Sequence, residues 1–197
     1  MTSSLKRCWG TESPLYTAYH DEEWGVPQHD DKKLFEFLVL EGFQAGLSWA
    51  LILERRNALR EAFEEFDPVK VAKFSENDVN RLMETPGVIK HKAKILSAIN
   101  NAKQVLEIQA EFGSFDSFIW KFVNGKPINH GFGSFEEMPP ENEQAKDMSK
   151  ELKTRGFKFV GPSVCYSFMQ AVGLVNDHLV WCFRYKEVQE IARPTRS

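Results

Sequence analysis

Arg81-Leu82-Met83-Glu84-Thr85-Pro86-Gly87-Val88-Ile89-Lys90-His91-Lys92-Ala93-Lys94-Ile95 is the stretch whose reading decides the fold. Proline presets one backbone angle and glycine admits a left-handed one, so Pro86-Gly87 makes a tight turn. Leu82, Val88 and Ile95 can pack the two flanking segments together, and the whole reads as a helix-hairpin-helix. Backbone N–H groups opening the second helix, with lysines beside them, would form a site for a nucleic-acid phosphate, positioning a duplex without reading its bases. A plain helical hairpin in an all-helical core is the competing reading. The turn has Gly87 alone, lacking the second glycine usual in such hairpins.

Outward from the hairpin the hydrophobic period stays helical, and no series of alternating strands is expected. Asp30 or Asp31 can cap a helix that carries Leu34, Phe37, Leu38 and Glu41 and ends around residues 42–46. A second helix is expected from about Leu47 to Phe66. Asp67-Pro68 then opens a short one reaching Phe74, and Ser75 with Asp78 forms a capping box for a helix running to about Glu84. Beyond the hairpin a long helix is expected from about Lys90 to Phe112, and Ser114 caps a shorter one reaching Val123. Residues 124–140, punctuated by glycine and proline, read as a surface excursion. Helices return over about 141–155 and 162–172. The fold class is all-α.

The chain has 197 residues, 42% of them hydrophobic, enough for one domain over residues 1–197 or two closely packed helical lobes. Three cysteines, no apolar leader and no apolar run near the ~18 residues of a membrane span point to a soluble, cytoplasmic protein without a membrane partner. A net charge of −3 excludes a surface given over wholly to nucleic acid but permits a local basic patch. Two such clusters exist, residues 90–94 and the set Lys150, Lys153, Arg155 and Lys158.

Two constellations carry chemistry. Cys8 and His20 lie near one end of the chain, His178 and Cys182 near the other. The i, i+4 spacing of the second pair suits one face of a helical turn, and two cysteines with two histidines make a closed tetrahedral zinc set. That set would clasp residues 8–20 to residues 178–182 without catalysing anything, since four protein ligands leave no position for water. Two buried thiols and two scattered histidines are the alternative. The second constellation is Leu40-Glu41-Gly42-Phe43-Gln44-Ala45-Gly46-Leu47-Ser48-Trp49. Glu41 falls on the apolar face of its helix, where an unpaired carboxylate is costly, so it either pairs with an arginine or backbone N–H groups or anchors a pocket. Trp49, with Tyr16, Tyr19 or Trp24, would wall that pocket, which suits a flat, electron-poor, preferably cationic heterocycle.

Taken together, Tyr16-Thr17-Ala18-Tyr19-His20-Asp21-Glu22-Glu23-Trp24-Gly25-Val26-Pro27, the 40–49 stretch, Arg155-Gly156-Phe157-Lys158-Phe159-Val160-Gly161 and Gly173-Leu174-Val175-Asn176-Asp177-His178 resemble the bacterial DNA-3-methyladenine glycosylase I family. The likeness runs in order from Cys8 to about Cys182. It implies an all-helical member of the helix-hairpin-helix glycosylase superfamily, with one structural zinc per chain at Cys8, His20, His178 and Cys182. By position, Glu41 matches the catalytic and base-binding carboxylate. Tyr16, Tyr19 and Trp49 match the residues around the extruded base. Gln44, Gly46 and Leu47 match the turn that probes the opened duplex, while Gly87, Lys90, Lys92 and Lys94 match the DNA-contacting hairpin. Phe43 departs from the pattern, since a polar residue is common there.

The implied activity is base-excision repair by a monofunctional N-glycosylase, acting on alkylated double-stranded DNA and releasing free 3-methyladenine, with a monomer expected. No hairpin lysine matches the nucleophile of bifunctional relatives, and Asp116 reads as a cap, not as a catalytic aspartate. A non-catalytic module that binds alkylation damage is the alternative, and a zinc-stapled protein that binds a free nucleobase a more distant one.

Overall fold

The computed structural model describes residues 5–10 and 13–192. Its described part is mostly helical. Helix α1 (Pro14–Glu22) opens on Ser13, whose hydroxyl accepts the Tyr16 N–H at 3.2 Å. Helix α2 (Asp31–Gln44), capped by Asp30, is buried without interruption from Leu34 to Phe43, so it runs through the core, not over it. Helix α3 (Trp49–Ala62) opens on Ser48, and α4 (Pro68–Val71) on Asp67. The capping box of Ser75 and Asp78 opens α5 (Glu76–Glu84). After the hairpin come α6 (Lys92–Phe112), α7 (Phe115–Trp120), α8 (Glu143–Thr154), α9 (Pro162–Ala171) and α10 (Phe183–Ile191). No helix among the described residues is long and apolar enough to cross a membrane.

Several expected boundaries move. The turn over residues 45–48 lies outside any helix, so Leu47 stands 38% exposed instead of joining the apolar face of α3. That helix stops at Ala62 because Glu64, Glu65 and Phe66 adopt left-handed φ of 52–54°, a tight turn that drives Phe66 into the core. Helix α6 begins at Lys92, with His91 as its N-cap, which leaves Lys90 in the turn. The 124–140 excursion is tied down by a short parallel bridge, β1 (Ile128–Asn129) with β2 (Val175–Asn176). Helices α1 and α10, both short, were not among the expected elements.

His178 and Cys182 do not share a helical turn. They lie in the loop between β2 and α10, with Cys182 as the N-cap of α10 and its N–H donating to the Leu179 carbonyl at 2.7 Å. The hairpin turn is held against α3. Gly87 has φ +83°, and a Cβ there would sit 2.6 Å from the Ala58 Cβ, so both the angle and the space demand glycine.

Candidate functional site

Helix α2 ends beside a cavity of about 430 Å³, and Glu41 on its last turn reaches that wall. Tyr16 and Tyr19 come from α1, Trp49 from the first residue of α3, and Trp24 from the strap that follows α1. Tyr19 and Trp49 are ring neighbours at 5.3 Å. The structure thus brings the four expected pocket residues, Glu41, Tyr16, Tyr19 and Trp49, onto one cavity, with Gln44 at its edge. Sequence reasoning missed Trp9, Phe135, Met138, Ser167 and Gln170, which complete the lining. Four of these sit on the excursion and on α9, far from the quoted stretch in sequence. Trp9 adjoins Cys8, and that adjacency was the available signal.

Glu41 is 4% exposed, and its Oε2 has no hydrogen-bond partner. Burial alone raises its pKa to about 8, which favours the neutral acid. Burial, followed by the nearby Glu41, also raises the Tyr19 phenol, which therefore stays a hydrogen-bond donor. The indole Nε1 of Trp49 is a second buried polar atom without a partner. Buried polar groups are ordinarily satisfied, so an acceptor and a donor left open on one aromatic-walled cavity mark a place that a ligand completes. Phe43 takes no part, since it packs edge-on against Phe63 at 5.8 Å in the core.

The probing turn and the hairpin meet through Lys94. Its side chain, expected at a phosphate, is buried, and Nζ donates at 2.6 Å to both the Phe43 and the Ala45 carbonyls. Burial lowers its pKa. Lys94 satisfies carbonyls that the end of α2 leaves open and pins the start of the turn carrying Gln44, Gly46 and Leu47. Its expected role as a phosphate contact is therefore corrected. Lys90 and Lys92 are exposed, with Lys92 paired to Glu76 at 2.7 Å. Of the second basic cluster, Arg155 is tied to Glu111 at 2.6 Å.

The four-ligand cluster lies behind the cavity. Cys8, His20, His178 and Cys182 place their ligand atoms within 4.8 Å of one another. The four sulfur–nitrogen distances are 3.3, 3.7, 3.5 and 3.6 Å. A tetrahedral ion with metal–sulfur bonds of about 2.3 Å and metal–nitrogen bonds of about 2.0 Å spaces sulfur and nitrogen about 3.5 Å apart, so the residues fit such an ion. Each imidazole is oriented from behind. His20 Nδ1 lies 2.8 Å from Asp21, itself held by Arg7, while His178 Nε2 lies 2.9 Å from the Trp24 carbonyl, which leaves His20 Nε2 and His178 Nδ1 to ligate. A hydrogen bond from Cys8 and contacts from both imidazoles draw the Cys182 thiol well below its ordinary value against the pull of burial, while Cys8 is pushed up. Trp9 bridges cluster and cavity, at 5.0 Å from the His20 ring and 5.1 Å from that of Trp24.

Helical scaffold, closed ligand cluster and aromatic cavity with an unpaired acid together define a protein built to enclose a flat heterocycle. The family model for methyladenine glycosylase matches residues 9–185, and the chain belongs to that family. It is 50% identical over 182 residues to DNA-3-methyladenine glycosylase 1 of Escherichia coli K12, covering 92% of this chain and 97% of that one. It is 47% identical over 177 residues to DNA-3-methyladenine glycosylase of Haemophilus influenzae, covering 89% and 96% respectively. A solved structure of 3-methyladenine DNA glycosylase I from Staphylococcus aureus, described in terms of 3-methyladenine recognition, superposes with a TM-score of 0.88 at 38% identity, covering 99% of this chain and all of that one.

Proposed function

We propose that this protein is a base-excision repair enzyme, a monofunctional DNA N-glycosylase that flips 3-methyladenine out of alkylated duplex DNA and hydrolyses its glycosidic bond. The observation that carries the reading is the buried Glu41 carboxyl, its Oε2 without a hydrogen-bond partner, on an aromatic cavity large enough for one base. Membership of the methyladenine glycosylase family supports it.

Methylation at N3 leaves adenine cationic, so the base departs with the bond electrons as a neutral molecule, and C1′ passes through an oxocarbenium ion that water captures with release of a proton. Protonation of the leaving group is unnecessary, and the protein's task is to select, extrude and hold. Extrusion costs a few kcal/mol, least for damaged bases, and stacking of about 1–3 kcal/mol per base offsets it. Trp49, Tyr16 and Tyr19 supply the stacking walls. Glu41, ionised as the cationic base enters, accepts from the adenine amino edge. Gln44, Gly46 and Leu47 form the turn that fills the space the base vacates. The hairpin, with Gly87 at its turn and Lys90 and Lys92 exposed on it, contacts phosphates as in the helix-hairpin-helix superfamily.

We further propose that the cluster of Cys8, His20, His178 and Cys182 holds one structural zinc ion, since paired thiolates and imidazoles with closed tetrahedral spacing suit that ion. Zinc there supplies cross-linking between the ends of the chain. Its four ligands leave no place for water, so it takes no part in the hydrolysis.

Incubation with N-methylated duplex DNA, with chromatography of the released bases, tests the function. Release of 3-methyladenine leaving an intact abasic site is expected. Absence of release, or a covalent protein–DNA adduct on borohydride reduction, would contradict it, because no lysine lines the cavity among the described residues to serve Schiff-base chemistry.

A further inference from the structure

We propose that Gln170 is a second base-contacting residue, its amide locked with the oxygen available to the cavity, so that the pocket accepts a 6-amino purine and rejects a 6-oxo one. This rests on the reading of the cavity as a purine site. Gln170, on α9, lines the cavity together with Glu41 and Trp49. Its Nε2 lies 2.8 Å from Oδ2 of Asp177 and 3.2 Å from Sδ of Met138. A carboxylate and a thioether only accept, so both are served by the NH2 end of the amide, and its orientation follows from its neighbours.

Asp177 has no freedom to turn. It is buried, and besides Gln170 it receives the Tyr166 hydroxyl on Oδ2 at 2.6 Å and faces Nδ1 of His130 across 2.6 Å at Oδ1. Asp177, with Tyr166 and His130 behind it, therefore positions Gln170. An unconstrained glutamine could present either its oxygen or its NH2 to a ligand and suit either purine. With NH2 committed to Asp177 and Met138, the group left for a base is the oxygen. The 6-amine of adenine donates to such an oxygen; a 6-oxo group would face it oxygen to oxygen. Gln170, which has no titrating proton, imposes this choice whatever the protonation of Glu41.

The test is calorimetric titration of two free bases, 3-methyladenine and 3-methylhypoxanthine, in which oxygen replaces the 6-amine, into wild type, Gln170→Leu and Asp177→Asn. Wild type should prefer 3-methyladenine. Gln170→Leu should cut that preference by about tenfold, through a lost hydrogen bond and a relieved repulsion. Asp177→Asn, whose side chain can also donate, frees the glutamine to flip and should lower the preference while keeping measurable binding of 3-methyladenine. General damage to the fold weakens both bases together and leaves their ratio intact, so the ratio separates positioning from stability. An unchanged ratio in Gln170→Leu would overturn the inference. A wild type that binds neither base would instead sink the purine-site reading beneath it.

Discussion

Glu41 carries a cost that the fold tolerates. A carboxyl at 4% exposure with an unpartnered oxygen is pushed up to about 8, against roughly 4.3 for glutamate in water. Between those two values the folded protein keeps a proton that the unfolded chain has lost. Folding is therefore unpenalised below about pH 4, progressively penalised as pH rises, and penalised in full above about 8. Glu41→Gln removes the titration but keeps the shape, so it should unfold at higher temperature than wild type, with a gap that opens from about pH 4 to pH 8. At the upper end the gain should be about 2–4 kcal/mol. Parallel pH profiles for the two proteins would mean that the carboxylate has a partner. Such a site trades stability for recognition, which is the pattern expected where a ligand supplies the missing interaction.

At the scale of elements, Lys94 shows where sequence reading stops. Lysine in a basic run beside a Pro-Gly turn looks like a phosphate contact, but an N-cap at His91 in place of a helix starting at Lys90 decides which lysines face outward. The rotation puts Lys94 under the end of α2, fifty residues away in sequence, and only the packed structure reveals its carbonyl partners. Lys94→Ala should therefore cost about 2–3 kcal/mol of stability and loosen the 45–48 turn, leaving the salt dependence of DNA binding unchanged. Lys90→Ala with Lys92→Ala should do the reverse, flattening the slope of log affinity against log salt by about one to two units with little effect on melting. Salt titrations of the two variants, with melting curves, check both outcomes; a Lys94 variant that flattens the slope would reinstate it as a phosphate contact.

Much else at this scale was legible. Asp30, Asp67, Ser75 and Ser114 all cap helices in the structure, because capping depends on chemistry within three residues. The hairpin's apolar residues Leu82, Val88 and Ile95 are buried together. What stayed hidden depends on distant partners or on backbone geometry. Examples are the left-handed run at residues 64–66, the bridge between β1 and β2, and the pocket wall contributed by Met138, Ser167 and Gln170. The i, i+4 spacing of His178 and Cys182 suggested the right neighbours through the wrong element, because a loop into an N-cap brings the two as close as a helical turn would.

For the molecule as a whole, the cluster of Cys8, His20, His178 and Cys182 joins its first and last described segments and stands directly behind the cavity through Trp9. One zinc per chain is expected by elemental analysis. Cys182→Ser should lower stability by at least about 3 kcal/mol and disturb Trp9 fluorescence, since the wall of the pocket hangs from the clasp. A variant with unchanged melting, or a protein without metal after purification free of chelator, would contradict that role. The central claim, however, is that the open carboxyl on this cavity exists to hold a methylated purine. Calorimetric titration of 3-methyladenine into wild type and Glu41→Ala tests it most directly. A charge-assisted hydrogen bond in a dry pocket is worth about 1.5–3 kcal/mol, so the variant should bind about ten- to a hundredfold more weakly while keeping a cooperative unfolding transition. Equal affinities in the two proteins would make Glu41 a structural carboxyl and contradict the account.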